Sequence, residues 1–240
     1  MQQLIETAKQ NLSFLAVCVL VIAGLSLLSH AAERFLLKKR QISPARRIAI
    51  IAMCSVIAMV LHILDFPVGF APGFYKLDFS ELPVLLCGFY LGPSATVACE
   101  AVKILLKLLF KSTSTAFVGD LANFVVGCSL VIPAVIIYHL RKTKTAAVVG
   151  LAVGTLCMTV FGSAFNAVYL LPKFAELYGM PLDVIVGMGT AVNPGITSVS
   201  TLVLLAVAPL NLLKGTAVGV LTMLLYKRVA RPLFGIREQK

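Results

Sequence analysis

The chain has 240 residues, 59% hydrophobic and 13% charged, with a mean hydropathy of +0.96 and a formal net charge of +11. That balance excludes an ordinary soluble domain and marks an integral membrane protein. The basic residues sit in short clusters between apolar runs, without interleaved aromatics, which argues against nucleic acid as a partner.

A spanning helix needs about 20 apolar residues. In chain order the sequence predicts spans at residues 12–32, 48–64, 82–91, 93–110, 117–138 and 146–171. The run 82–91 is short and crosses only if its helix begins near Asp78. The run 196–226, at about 1.5 Å per residue, reaches about 46 Å, too long for one crossing. Proline suits the first turn of a helix, so Pro209 is expected to open a seventh span over 209–226. Residues 172–208 then become a long, partly apolar excursion with a short helix or two. The first run follows Lys9 as a signal peptide would, but it is too long for an h-region and ends at the densest basic cluster, so a retained helix is expected.

Lys and Arg collect at Arg34, Lys38, Lys39, Arg40, Arg46 and Arg47, at 141–144, and after Tyr226, together fourteen of the twenty-one. The positive-inside rule places those segments in the cytoplasm, with the N-terminus outside and the C-terminus inside. Residues 1–44 are thus expected to form an extra helix and basic cytoplasmic linker, 45–230 the main membrane domain and 231–240 a basic tail.

The six cysteines lie scattered in apolar runs without CxxC spacing and read as small buried hydrophobes rather than a metal site. The histidines read as interfacial or satisfied. GxxxG spacings at Gly88/Gly92, Gly150/Gly154 and Gly215/Gly219, and Ala45/Ala49, let helices approach closely, first of all within the bundle.

Ionisable groups within spans mark function or internal pairing. Glu100 and Lys103, three apart, are expected to pair on one helix face. Lys107, Asp120, Asn123, Asn166, Asn211 and Lys214 converge on the outer half of four helices, at the level of Phe110, Phe117, Phe165 and Tyr169. The stretch "FAPGFYKLDFSELP" adds Phe70, Phe74, Tyr75, Lys76, Asp78 and Phe79 just above. A pocket of rings, amides, lysines and a carboxylate suits a planar polar small molecule better than a metal ion. The sequence has no HExxH, GxSxG or Walker lysine, so no enzymatic chemistry is expected.

The run from "FAPGFYKLDFSELPVLLCGFYLGPSATVACEAVKILLKLLF" through "GDLANF", followed by "NAVYLLPKFAELYGM" and "APLNLLKG", resembles the riboflavin-specific substrate-binding (S) subunits of energy-coupling factor (ECF) transporters over about residues 46–228. The resemblance implies an all-α membrane fold of six helices, here with one additional N-terminal transmembrane helix. It implies riboflavin, with flavin mononucleotide a second candidate, as transported ligand rather than cofactor. It also implies partners: a transmembrane coupling subunit, two cytoplasmic ATPases and the lipid bilayer. Motif matching puts Asn166 and Lys214 at the polar edge of the isoalloxazine ring and Phe70, Ala71 and Tyr75 in the loop over it. In "GDLANF", where relatives often have "GELANF", Asp120 is one methylene shorter. Ala45, Ala49 and Ala52 match the small-residue docking face. Charge alone leaves folate, thiamine or pantothenate S subunits open, and a stand-alone ion-coupled transporter using Glu100/Lys103 is a further alternative, without the inverted repeats it would favour.

Overall fold

The computed structural model describes residues 12–36, 42–113 and 115–234, so Lys9, the linker residues Lys38, Lys39 and Arg40, and the tail from residue 235 lie outside it. The apolar runs form helices α1 (Leu12–Leu36), α2 (Pro44–Ile63), α3 (Glu81–Leu91), α4 (Pro93–Phe110), α5 (Val118–Arg141), α6 (Lys144–Phe165), α7 (Leu171–Tyr178), α8 (Leu182–Thr190), α9 (Val199–Leu202) and α10 (Ala208–Phe234). Between α2 and α3 the chain makes an antiparallel hairpin of two short strands, β1 (Phe66–Pro67) and β2 (Lys76–Leu77), with Phe66 opposite Leu77.

Among the described residues five helical stretches, Phe14–Phe35, Pro44–Ile63, Val118–Arg141, Lys144–Tyr178 and Val199–Tyr226, are long and apolar enough to cross a bilayer. α4 has the length but carries Glu100, Lys103 and Lys107. α3 is apolar on all sides after its first residue, and all eleven of its residues are buried. A helix apolar all round belongs at the centre of a bundle, and α2, α4, α5 and α10 surround this one. It starts at Glu81 rather than near Asp78, so it covers only about 16 Å at ~1.5 Å per residue; the hairpin supplies the chain above it.

Two expectations near the prolines need correction. Pro172 does not end a span, and Pro209 does not begin one. α6 runs through a π-turn, Asn166–Leu170, into α7, and α9 runs through a second, Val203–Val207, into α10. The Leu171 N–H reaches Asn166 O and the Ala208 N–H reaches Val203 O, each five residues back. Each proline follows by one residue. Its ring would meet the carbonyl four residues earlier, which here lies inside the widened turn, so the helix continues without the missing amide bond. The expected excursion 172–208 therefore shrinks to the segment between α7 and α9, which contains α8. Leu171, Ile185, Ile196, Leu202 and Leu210 bury this cap against Ala71, Tyr75 and Leu77 of the hairpin.

Glycines set the helix spacing. A Cβ at Gly150 would stand 2.6 Å from Ala134 O, and one at Gly154 would stand 2.3 Å from Leu130 O, so α5 and α6 touch backbone to backbone. Gly88 is as close to Thr96 and Val135, and Gly92 takes φ 107° in the one-residue turn between α3 and α4. At Gly219 the nearest atom to such a Cβ is 3.6 Å away, an ordinary contact. Gly154→Val is therefore expected to destabilise the fold by about 1–3 kcal/mol through overpacking, while Gly219→Ala leaves it unchanged. Thermal unfolding in detergent, followed by circular dichroism, checks this; a Gly154→Val midpoint equal to the parent's would mean that α5 and α6 do not pack at this distance.

Candidate functional site

The hairpin ends in Asp78, whose Oδ1 accepts the Ser80 N–H at 2.8 Å and so turns the chain into α3. Oδ2 of the same carboxylate lies 2.9 Å from Lys214 Nζ on α10 and 3.5 Å from His62 Nδ1 on α2. Glu81, the first residue of α3, stands between two lysines: its Oε2 is 2.9 Å from Lys214 Nζ and its Oε1 is 3.5 Å from Lys103 Nζ. Lys103 also reaches Ser80 Oγ at 3.1 Å and pairs with Glu100 one turn away on α4. Three carboxylates, two ammonium groups and an imidazole form one buried cluster; Glu100 and Lys103 have no exposed surface at all. Charges this deep persist only when paired and hydrogen-bonded.

From Lys214 the polar residues continue as a ring through α10, α6 and the hairpin. Asn211 lies one turn earlier on α10, and its Nδ2 would be 2.6 Å from a Cβ placed on Gly162 of α6, so the glycine makes room for the amide. Gly162 O accepts from Asn166 Nδ2 at 2.8 Å, and Asn166 Oδ1 accepts the Tyr75 hydroxyl at 3.0 Å. Burial pushes the Tyr75 phenol up, which keeps its proton on and the hydroxyl a donor. Tyr75 stands three residues before Asp78 and closes the ring. Asn166 opens the π-turn, where side chains are turned off the regular helical track. Asn211 Nδ2 is buried with no hydrogen-bond partner among the described residues. Lys214 has three N–H donors; it gives one to Asp78 Oδ2 and stands as an ion pair beside Glu81 Oε2.

The structure thus brings together Tyr75, Asp78, Asn166, Asn211 and Lys214, with Ala71 buried beside Tyr75 in the hairpin's apolar cluster. Phe70 and Phe74 stand at the hairpin's exposed rim, Phe74 against the Tyr75 ring at 4.6 Å. Lys107, Asp120 and Asn123 are engaged elsewhere. Lys107 Nζ pairs with Asp120 Oδ1 at 2.6 Å between α4 and α5, and Asn123 Nδ2 bonds Gly119 O of its own helix at 3.0 Å. Lys76 pairs with Asp65 across the hairpin at 3.2 Å, and Phe110 points outward, 73% exposed. Glu81 and His62 are not among the ligand-site residues that the sequence reading selected. The signal for Glu81 was its place three residues after Asp78, at the head of an otherwise wholly apolar helix.

A groove of about 610 Å³ between α6 and α10, bordered by Leu151, Thr155, Leu212, Thr216 and Val220, is apolar and contains none of the ring residues. On α2, Ala45, Ala49 and Ala52 are all exposed, in one stripe with Val56.

A helical membrane bundle with a buried polar ring under a cap of hairpin and short helices is the form of a membrane-embedded small-molecule binding protein. Residues 46–226 match the family described as "ECF transporter, substrate-specific component". The chain is 34% identical over 193 residues to the riboflavin transporter RibU of Staphylococcus aureus, covering 80% of this chain and 95% of that protein. It is 29% identical over 182 residues to the riboflavin transporter FmnP of Bacillus subtilis, covering 75% and 90%. The solved S component of a bacterial ECF transporter superposes with a TM-score of 0.62 at 33% identity, covering 80% of this chain and 99% of that one. The chain belongs to the substrate-specific components of ECF transporters, an all-α membrane family of transport proteins rather than enzymes.

Removing one partner from a buried ion cluster leaves uncompensated charge. Lys103→Met is expected to cost about 3–5 kcal/mol, while Lys173→Met, which breaks the surface pair with Glu176, leaves stability unchanged. Unfolding midpoints of the two purified variants check this, and equal midpoints would mean that Lys103 is not the tie that the contacts describe.

Proposed function

We propose that this protein binds riboflavin from the exterior in the polar ring beneath the hairpin, and delivers it inward when docked to a transmembrane coupling subunit with two cytoplasmic ATPases. The observation that carries the binding reading is the set of unused hydrogen-bonding groups: Asn211 Nδ2 is buried without a partner among the described residues, Lys214 keeps N–H donors beyond the one it gives Asp78, and Asn166 Oδ1 has a lone pair left over from Tyr75. The pyrimidine edge of an isoalloxazine ring carries two carbonyl oxygens and one N–H, the complement of that set. The names of the relatives, riboflavin transporters, agree with it. Riboflavin is then cargo, and no cofactor is part of the reading.

In this reading Asn166, Lys214 and Asn211 hold the ring edge, Tyr75 and Asp78 hold those side chains, and Phe70 and Ala71 belong to the covering hairpin. Asp120, Asn123 and Lys107 are assigned in this reading to the ribityl side, with the Lys107–Asp120 pair and the Asn123–Gly119 bond already made. Ala45, Ala49 and Ala52 form the face that meets the coupling subunit, a stripe of small residues that lets a partner helix approach closely. The N-terminus is outside and the C-terminus cytoplasmic, in accord with the basic clusters at 34–47, 141–144 and beyond 226. Residues 1–44 are an addition to a six-helix domain that spans 45–230, with a basic tail after it.

Lys214→Ala and Asn166→Ala are each expected to weaken riboflavin binding by roughly 5- to 150-fold, the range for losing about 1–3 kcal/mol of desolvated hydrogen bonding. Titration by quenching of flavin fluorescence measures it, with circular dichroism as the control for folding. Wild-type affinity in both folded variants would move the flavin site away from the ring.

A further inference from the structure

α1, the helix outside the family match, is fastened to the bundle among the described residues at one polar point. Its Val21, Ile22 and Leu25 pack on Val97, Ile104, Phe124 and Cys128 of α4 and α5. Near its inner end, Glu33 reaches the turn where α3 passes into α4. Glu33 Oε2 accepts the Ser94 N–H at 3.2 Å and the Ser94 hydroxyl, and Glu33 Oε1 lies 3.6 Å from Arg47 Nη1 on α2. Arg47 Nη2 donates to Ser94 Oγ at 2.6 Å, closing a triangle. Ser94 is the second residue of α4, and the turn's Gly92 and Pro93 supply no capping side chain. The carboxylate therefore stands where the first amides of α4 lack partners and where the helix dipole favours negative charge.

Arg47 is two residues from both Ala45 and Ala49. At about 100° per residue it points away from the stripe that Ala45, Ala49 and Ala52 form, and the pattern of exposure agrees: the alanines are exposed and Arg47 is partly covered. Holding the guanidinium inward against Glu33 and Ser94 fixes the rotation of α2 about its own axis, and so the direction in which the alanines face. We propose that Glu33 is a positioning residue for docking: through Arg47, the added helix α1 sets the orientation of the small-residue face of α2. The proposal rests on the reading that this face meets the coupling subunit.

The test uses the full chain co-expressed with the coupling subunit and ATPases encoded in the same genome, and measures coupling subunit recovered per flavin-binding chain. Glu33→Ala is expected to lower recovery about fivefold, the effect of losing one charged cap, with flavin affinity unchanged. In an Arg47→Ala background the same substitution should add less than about twofold, because Glu33 then has no partner to act through. Ala49→Trp, in parallel, tests the docking face itself. Loss of recovery with Ala49→Trp but none with Glu33→Ala overturns the fastening and leaves the docking face standing. Full recovery with Ala49→Trp overturns the face and the fastening with it. A drop with Glu33→Ala that persists undiminished without Arg47, or that brings flavin affinity down in parallel, makes Glu33 a cap of α4 alone and also overturns the proposal.

Discussion

The carboxylate of Glu81 stands between Lys103 and Lys214, and the arrangement of the helices around it follows from that constraint. α3 is buried on every face, so a charge at its first residue cannot reach water and must be met by cations from its neighbours. α4 supplies one and α10 the other. Each lysine then carries a second carboxylate: Glu100 on α4 beside Lys103, and Asp78 at the foot of the hairpin beside Lys214. Three helices and the hairpin are thereby held in one relative position at the level where the ring of polar side chains forms. An apolar core of Leu and Val could hold the same helices together but would leave their rotation and height less specified, because hydrophobic contact is not directional.

The two π-turns play the complementary part of making space in helices that would otherwise run straight. Each ends two residues before a proline, and the first begins at Asn166, which faces Tyr75. Read from sequence, Pro172 and Pro209 look like helix boundaries, because proline breaks the ladder of hydrogen bonds. In a bundle this tightly packed, ending a helix would expose several carbonyls to an apolar surround, whereas a single widened turn disturbs one step of the ladder. Tertiary packing therefore overrides the local rule. The sequence contained a hint in the length of 196–226, which exceeds a crossing without offering a polar interruption at Pro209.

The parts of the site that were legible were those marked by a polar residue in an apolar run. Asn166, Asn211 and Lys214 stand out in that way, and the Glu100–Lys103 spacing forecasts its own pair. Lys107 and Asp120 stand out equally, yet they answer each other across α4 and α5, since two opposite charges on adjacent helices are each other's nearest solution. Depth along a helix follows from counting residues; direction around it depends on which neighbours are present, and these come from far along the chain. Glu81 and His62 were hidden for the same reason. Their partners Lys214 and Asp78 are brought to them only by the fold.

On the proposed reading, the cluster also bears on which vitamin enters. An unpaired lysine in a low-dielectric pocket would favour an anionic ligand. Lys214 is not unpaired: Asp78 and Glu81 lie within 2.9 Å and cancel its charge where it stands. What remains for a ligand is an N–H not given to Asp78, offered as a hydrogen bond without a surplus of positive field. Such a site serves a neutral ring with carbonyl acceptors. It gives little to the carboxylates of folate or pantothenate, which would meet two fixed carboxylates a few ångströms behind the lysine. Thiamine presents a permanent cation, which would find Asp78 and Glu81 already committed. Among the vitamins compatible with the architecture, the one whose recognised edge is both neutral and rich in acceptors is riboflavin, so the ion pairs that hold the helices together also exclude the charged competitors.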